Sequence, residues 1–213
     1  MSDTPPDGAT GPAIRQGDLF EALGPAIDVG FTTVRRIELD ATSWVEQVPG
    51  WLRAGGALFD ELMATAPWEQ RYRYIYDRRV IEPRLTAEYQ DVNAAPQQLL
   101  RTVTETLAQH YGVAYRYLWL NLYRTHRDST SWHGDPIGKI QPTSTVPVLS
   151  LGATRRFLIR PAQGGKSVSL AVASGDLIVM GGRSQRDWRH SVPKQASPAG
   201  PRISVNFAPA YHG

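Results

Sequence analysis

From Tyr115 to the C-terminus the chain is a succession of short apolar runs parted by turn-forming residues, and this pattern narrows the fold more than any other feature. The runs are YLWLNLY (117–123), VPVLSLG (146–152), RFLIR (156–160), VSLAV (168–172), DLIVMGG (176–182) and RISVNFA (202–208). Gly164-Gly165, Ser174-Gly175 and Pro198-Ala199-Gly200 separate some of them. Regularly spaced short strands with turn signals between them indicate an antiparallel sandwich or jelly roll. The expected class is therefore α+β, a double-stranded β-helix (jelly roll) supported by N-terminal helices.

The helices come from the first half. Leu52, Leu58, Phe59 and Leu62 have helical spacing over residues 51–64, and Pro67 ends that segment. A second helix is expected over residues 95–111, with Pro96 in its first turn and Leu99, Leu100, Val103 and Leu107 as its buried stripe. Alternation over residues 29–39 suggests an early strand. Residues 1–24 are Pro/Gly-rich with few large apolar groups, and they read as a disordered arm. Residues 25–213 then form one domain, since 213 residues hardly suffice for two. No run of eighteen or more apolar residues occurs, so no membrane span is expected. The N-terminus lacks the basic start and apolar run of a secretory signal, and the chain has no cysteine for disulfides or thiolate zinc sites. A cytoplasmic monomer is the corresponding expectation. Of the 23 basic residues only Lys139, Lys166 and Lys194 are lysines, and Arg suits bidentate contact with phosphate or carboxylate.

Chemistry concentrates on few residues. The chain has five histidines, at 110, 126, 133, 190 and 212. His133-Gly134-Asp135 follows a predicted strand, and His190 follows another. Two neutral imidazoles and a carboxylate on one face of an ion leave three positions open, the arrangement expected for non-haem Fe(II). An H-x-D pair alone arises by chance in many proteins, so the surroundings carry the weight. Arg202 opens the last strand, and a guanidinium inside a barrel needs a carboxylate partner. Asn121 and Tyr123 alternate on the strand before the metal pair and share a face.

Together these residues resemble the AlkB family of Fe(II)/2-oxoglutarate dioxygenases, which demethylate alkylated nucleic acids. The stretches that carry the resemblance are NLYRTHRDSTSWHGD (121–135), SGDLIVMGGRSQRDWRHSVPK (174–194), PRISVNF (201–207) and PRLTAEY (83–89). They are most similar to the nuclear alkylation-repair branch. The resemblance implies that His133, Asp135 and His190 bind Fe(2+). It also implies that Asn121, Tyr123 and Arg202, with Ser204 and Asn206 beyond them, hold 2-oxoglutarate. O2 is the other cosubstrate, and alkylated DNA or RNA is the implied partner. Arg84, Tyr89 and Trp132 are the candidate substrate-side residues, Tyr89 and Arg84 as a lid over a flipped base and Trp132 as a pocket wall.

Two departures from the family pattern bear on function. The final strand of the family carries a second Arg where this chain has Ala208, so the metal-side carboxylate of the cosubstrate needs another cation, for which Arg124 and Arg156 are candidates. Repair members also carry acidic residues after the metal pair, where this chain has Pro136-Ile137-Gly138-Lys139. Two other readings therefore stay open at this point. One is an oxygenase acting on a protein side chain or small molecule, and the other is a nucleic-acid-binding barrel with weak activity.

Overall fold

The computed structural model describes residues 24–75 and 77–209. The arm expected over residues 1–24 thus lies almost wholly outside the described residues. In chain order the elements are β1 (Ala26–Ile27), β2 (Arg35–Glu38), β3 (Ser43–Val48), β4 (Leu52–Arg53), α1 (Gly56–Thr65), β5 (Glu69–Ile75) and β6 (Arg78–Tyr89). A 3-10 turn (Val92–Ala94), α2 (Gln98–Tyr111), β7 (Tyr117–Tyr123), β8 (Thr130–His133), α3 (Ile137–Ile140) and β9 (Ser144–Gly152) follow. The chain ends with β10 (Arg155–Pro161), β11 (Val168–Val172), β12 (Leu177–Gly182), α4 (Ser184–Asp187), β13 (Trp188–Val192) and β14 (Arg202–Ala208).

Two antiparallel sheets make the sandwich. The large one has the order β2-β3-β12-β9-β14-β7-β6-β5 and the small one β11-β10-β13-β8. Period-two alternation explains how one large sheet serves two interiors. On β7 and β14, Leu118, Leu120, Leu122, Ile203, Val205 and Phe207 join Leu58, Leu62, Leu100, Val103 and Leu107 of α1 and α2 in one core. The alternate residues face the small sheet, where Tyr123, Val146 and Val148 pack with Phe157, Ile159 and Val192. The polar members of that second face line the cavity described below. This is the jelly roll with supporting helices that the apolar runs imply.

The strand runs from Tyr117 onward fall where the sequence places them, with β7, β11 and β14 matching the runs end to end. The N-terminal half differs. The early strand is only Arg35–Glu38, because Phe31 adopts a positive φ of 51° within the turns that precede it. Helix α1 begins at Gly56 rather than near Trp51, since Leu52 and Arg53 pair with Ile27 and Ala26 as a short ribbon. Helix α2 begins at Gln98, leaving Pro96 before its first turn, and it ends at Gly112 with φ of 66°, a left-handed cap that glycine adopts without strain. PRLTAEY belongs to β6, an interior strand between β5 and β7. Among the described residues, no helix is long and apolar enough to cross a membrane.

Because Leu120 is fully buried between the sheet and its helices, Leu120→Ala should lower the unfolding free energy by about 2–5 kcal/mol in urea titrations. A loss below about 1 kcal/mol would contradict the packing described here.

Candidate metal centre and cosubstrate pocket

His133 ends β8 and His190 lies in the middle of β13, within the strand rather than after it. The two are direct partners across the ladder. Their imidazoles therefore emerge on one face, with ring centroids 4.2 Å apart. The register shifts between this pair and Thr130–Val192, a bulge that turns Trp132 and His133 relative to the rest of β8. Asp135 follows two residues on, and its Oδ1 lies 3.7 Å from Nε2 of each histidine. The potential ligand atoms of all three residues fall within 4.8 Å of one another.

Sequence reading missed what sets that turn. The amide of Asp135 donates to Gln185 Oε1 at 2.8 Å. A Cβ on Gly134 would come within 2.3 Å of the Gln185 carbonyl oxygen, and one on Gly138 within 2.5 Å. Glycine at 134 is thus dictated by contact with α4. His133 Nδ1 sits 2.8 Å from the Ser131 carbonyl. A carbonyl only accepts, so the proton resides on Nδ1 and Nε2 is left free to coordinate. His190 stacks on Phe157 at 5.5 Å.

Burial governs the titration of this cluster. Desolvation, helped by the neighbouring His190, depresses His133 to about 4, and desolvation followed by the Arg189 charge depresses His190 to about 3. Both imidazoles are neutral near pH 7, as coordination requires. Desolvation raises Asp135 to about 6 against the opposing influence of His133 and Arg84. Asp135 is 5% exposed, and its Oδ2 has no hydrogen-bond partner. A buried, unsatisfied carboxylate between two free imidazole nitrogens fits a divalent cation.

The centre opens into a cavity of about 280 Å³ on the inner face of the large sheet. Arg202 lines it and is 2% exposed. One terminal nitrogen donates to Ser150 Oγ at 2.6 Å, while Nε and Nη1 have no partner. Desolvation pushes its pKa down from the ordinary arginine range. Its guanidinium lies 5.3 Å from the Tyr123 ring centre, and Arg155 lies 5.4 Å from the same ring. Arg155 differs in being bonded to the carbonyls of Thr125, Asp128 and Pro193. Arg202 lines the cavity with Nε and Nη1 both orphaned, and these N–H groups fit the distal carboxylate of 2-oxoglutarate.

All five expected cosubstrate residues line this cavity: Asn121, Tyr123, Arg202, Ser204 and Asn206. Asn121 Nδ2 donates to Ser204 Oγ at 3.2 Å and its Oδ1 accepts from Arg84 Nε at 2.9 Å. The Tyr123 hydroxyl meets Thr130 Oγ1 at 2.8 Å. Asn206 turns its amide to the Trp119 carbonyl at 2.8 Å. The substrate-side residues divide. Arg84 lines the cavity, but Tyr89 does not. Leu85, Ala87 and Tyr89 share the helix side of β6, and Tyr89 is buried there at 9% exposure. Trp132 lies outside the cavity with the Arg160 guanidinium 4.1 Å above its ring. The residues missed are Glu82, Thr86 and Glu88, which share the pocket face of β6 with Arg84. Counting by two from Arg84 finds them and excludes Tyr89.

Neither sequence candidate for the missing cation at Ala208 reaches the cavity. Arg124 is paired with Asp128 at 2.7 Å, and Arg156 is exposed. The guanidinium groups lining it are those of Arg71, Arg84 and Arg202.

A jelly roll that carries a two-histidine, one-carboxylate centre beside an unpaired buried guanidinium defines the class of non-haem metal oxygenases that take a dicarboxylate cosubstrate. Residues 54–207 match the 2OG-Fe(II) oxygenase superfamily, and the chain belongs to that family. It is 30% identical to "Alpha-ketoglutarate-dependent dioxygenase alkB homolog 3" of Homo sapiens over 72% of this chain and 61% of that protein. It is 27% identical to "DNA oxidative demethylase ALKBH2" of Arabidopsis thaliana over 70% of this chain and 60% of that protein. The chain thus spans about three-fifths of the length of these relatives. Among solved structures, "The structure of OsALKBH1" shares the fold with a TM-score of 0.57 at 13% identity, covering 82% of this chain and 100% of that one. A 2OG-Fe(II) oxygenase family protein from Burkholderia pseudomallei gives 0.50 at 17%, covering 79% and 86%.

Two outcomes follow from the buried charges. Divalent-metal affinity, read by Co(II) absorbance titration, should be flat above about pH 6 and weaken about tenfold per unit below it, as a proton competes for Asp135. Arg202→Met should stabilise the ligand-free protein by about 1–4 kcal/mol while abolishing the rise in melting temperature that 2-oxoglutarate gives the parent. Retention of that rise in the variant would remove Arg202 from the cosubstrate site.

Proposed function

We propose that the chain catalyses oxidative demethylation of alkylated bases in DNA or RNA. The observation that carries this reading is the coexistence of three metal donors and an orphaned buried guanidinium in one cavity whose further wall is polar and charged. The name of the Arabidopsis thaliana relative, a DNA oxidative demethylase, supports the same substrate class. When bound, Fe(2+) with 2-oxoglutarate and O2 supplies the oxidising chemistry: the cosubstrate leaves as succinate and CO2, and the second oxygen atom enters an N-methyl C–H bond. The resulting hydroxymethyl group leaves as formaldehyde: the C–N bond breaks with its electron pair returning to the base nitrogen, and the hydroxyl proton passes to solvent.

The protein's own groups position rather than react. Arg202 would hold the distal carboxylate of the cosubstrate, and His133, Asp135 and His190 would hold the metal. On the substrate side, Glu88 is paired with Arg71, and Glu82 with Arg84 at 3.2 Å. These carboxylates can accept hydrogen bonds from an exocyclic amine and favour a cationic methylated ring. They offer the acidic character that the segment after Asp135 lacks, where Ile137 is buried and Lys139 points to solvent. That lack is also what favours the second reading, an oxygenase acting on a protein side chain or a small molecule. A nucleic-acid-binding barrel without turnover gives no account of three converging donors.

The test is formaldehyde release from single- and double-stranded oligonucleotides carrying 1-methyladenine or 3-methylcytosine, with His133→Ala as the blank. Release that depends on both Fe(II) and 2-oxoglutarate is the expected result. Intact methylated bases, with metal and cosubstrate demonstrably bound, would reject the proposal in favour of the second reading.

A further inference from the structure

The outer face of the small sheet carries charges that the chemistry above leaves unused. Arg160 on β10 and Arg189 on β13 are direct cross-strand partners. Like charges placed opposite one another destabilise a sheet, so the pair calls for an anion. Arg189 Nη1 is held by the carbonyls of Arg186 and Trp188 at 3.0 and 2.7 Å, and it would lie 3.2 Å from a Cβ placed on Gly134. Arg160 stacks over Trp132 at 4.1 Å, and its buried Nε has no partner. Beside them, Gly134, Gly138, Lys139, Gln185, Arg186 and Arg189 line an open depression. Among the described residues, none of Lys139, Arg160, Arg186 and Arg189 forms a salt bridge. The neighbouring Asp187 is already paired with Arg183 at 2.6 Å.

This depression meets the metal cavity at Asp135, which lines both. We propose that Lys139, Arg160, Arg186 and Arg189 form a track for the phosphodiester backbone of the strand whose alkylated base enters the cavity. The inference rests on the demethylase reading, because a base held at the metal must continue into a polyanion on one side or the other. The glycine floor at 134 and 138 allows close approach, and the Trp132–Arg160 stack offers a flat surface beside the cations. Phosphate contacts of this kind position the strand without reading its sequence.

The test uses the iron-loaded protein kept anaerobic, with fluorescence anisotropy of a labelled single-stranded oligonucleotide carrying one 1-methyladenine and of its unmethylated twin. Binding is measured across a salt series. Lys139→Gln, Arg186→Gln and Arg160→Gln should each weaken binding to both oligonucleotides alike and each reduce the log–log salt slope by about 1. The first two are exposed side chains whose replacement does not threaten the fold. Lys166→Gln, in the loop before β11, should leave the slope unchanged. Parent binding with slopes unaltered in all three variants would overturn the track and leave the demethylase reading intact. A parent protein that binds neither oligonucleotide would overturn both.

Discussion

The antiparallel ladder between β8 and β13 sets His133 opposite His190, and the chemistry of the molecule depends on that register. A slip of one residue would turn one imidazole to the solvent face and leave Asp135 with a single nitrogen beside it. Several contacts hold the register in place. Gly134 and Gly138 lie against the Gln185 carbonyl, the Gln185 side chain takes the Asp135 amide, and the indole of Trp188 donates to Asp40 at 2.6 Å at the start of β13. The metal donors are therefore pre-positioned by backbone packing, which lowers the cost of ordering them around an ion.

Burial makes the same site expensive when it is empty. Asp135 keeps an oxygen and Arg202 two nitrogens without a protein partner inside the sandwich, and burial penalises each such group. Metal and cosubstrate would each satisfy one of these groups, so their binding free energy also stabilises the fold. Tyr123 ties the two ends together: its hydroxyl meets Thr130 on β8, the strand of His133, and its ring lies within 5.4 Å of the guanidinium carbons of both Arg155 and Arg202. Arg155, whose two terminal nitrogens bond to three carbonyls, fixes the loop that leads from β7 into β8. Arg202 is left open for chemistry.

Strand β6 supplies one charged wall of the cavity by the alternation that built the core. Its helix side buries Ala87 and Tyr89, and its pocket side presents Glu82, Arg84, Thr86 and Glu88. Charge that the segment after Asp135 does not provide is thus present on the opposite wall. The charged groups there are arranged as ion pairs, Glu88 with Arg71 and Glu82 with Arg84, so neither carboxylate stands alone.

The sequence determined the period-two pattern that makes a sandwich, the ordered set of His133, Asp135 and His190, and the Asn121, Tyr123 and Arg202 group on β7 and β14. These were legible because alternation is local and because the spacing of ligands around a turn survives in the chain itself. The N-terminal boundaries were less so: helical spacing covers residues 51–64, but pairing of Leu52 with Ile27 takes the start of that segment into a strand, and the helix begins at Gly56. Tertiary structure alone decided which face of β6 meets the cavity, removing Tyr89 and bringing in Glu88. It also decided that Trp132 lies outside the cavity under Arg160, and that Arg124 is neutralised by Asp128 and so is no substitute for the arginine absent at 208. Each of these depends on a partner distant in sequence, and no local pattern reports which neighbour a side chain will meet once the two sheets close.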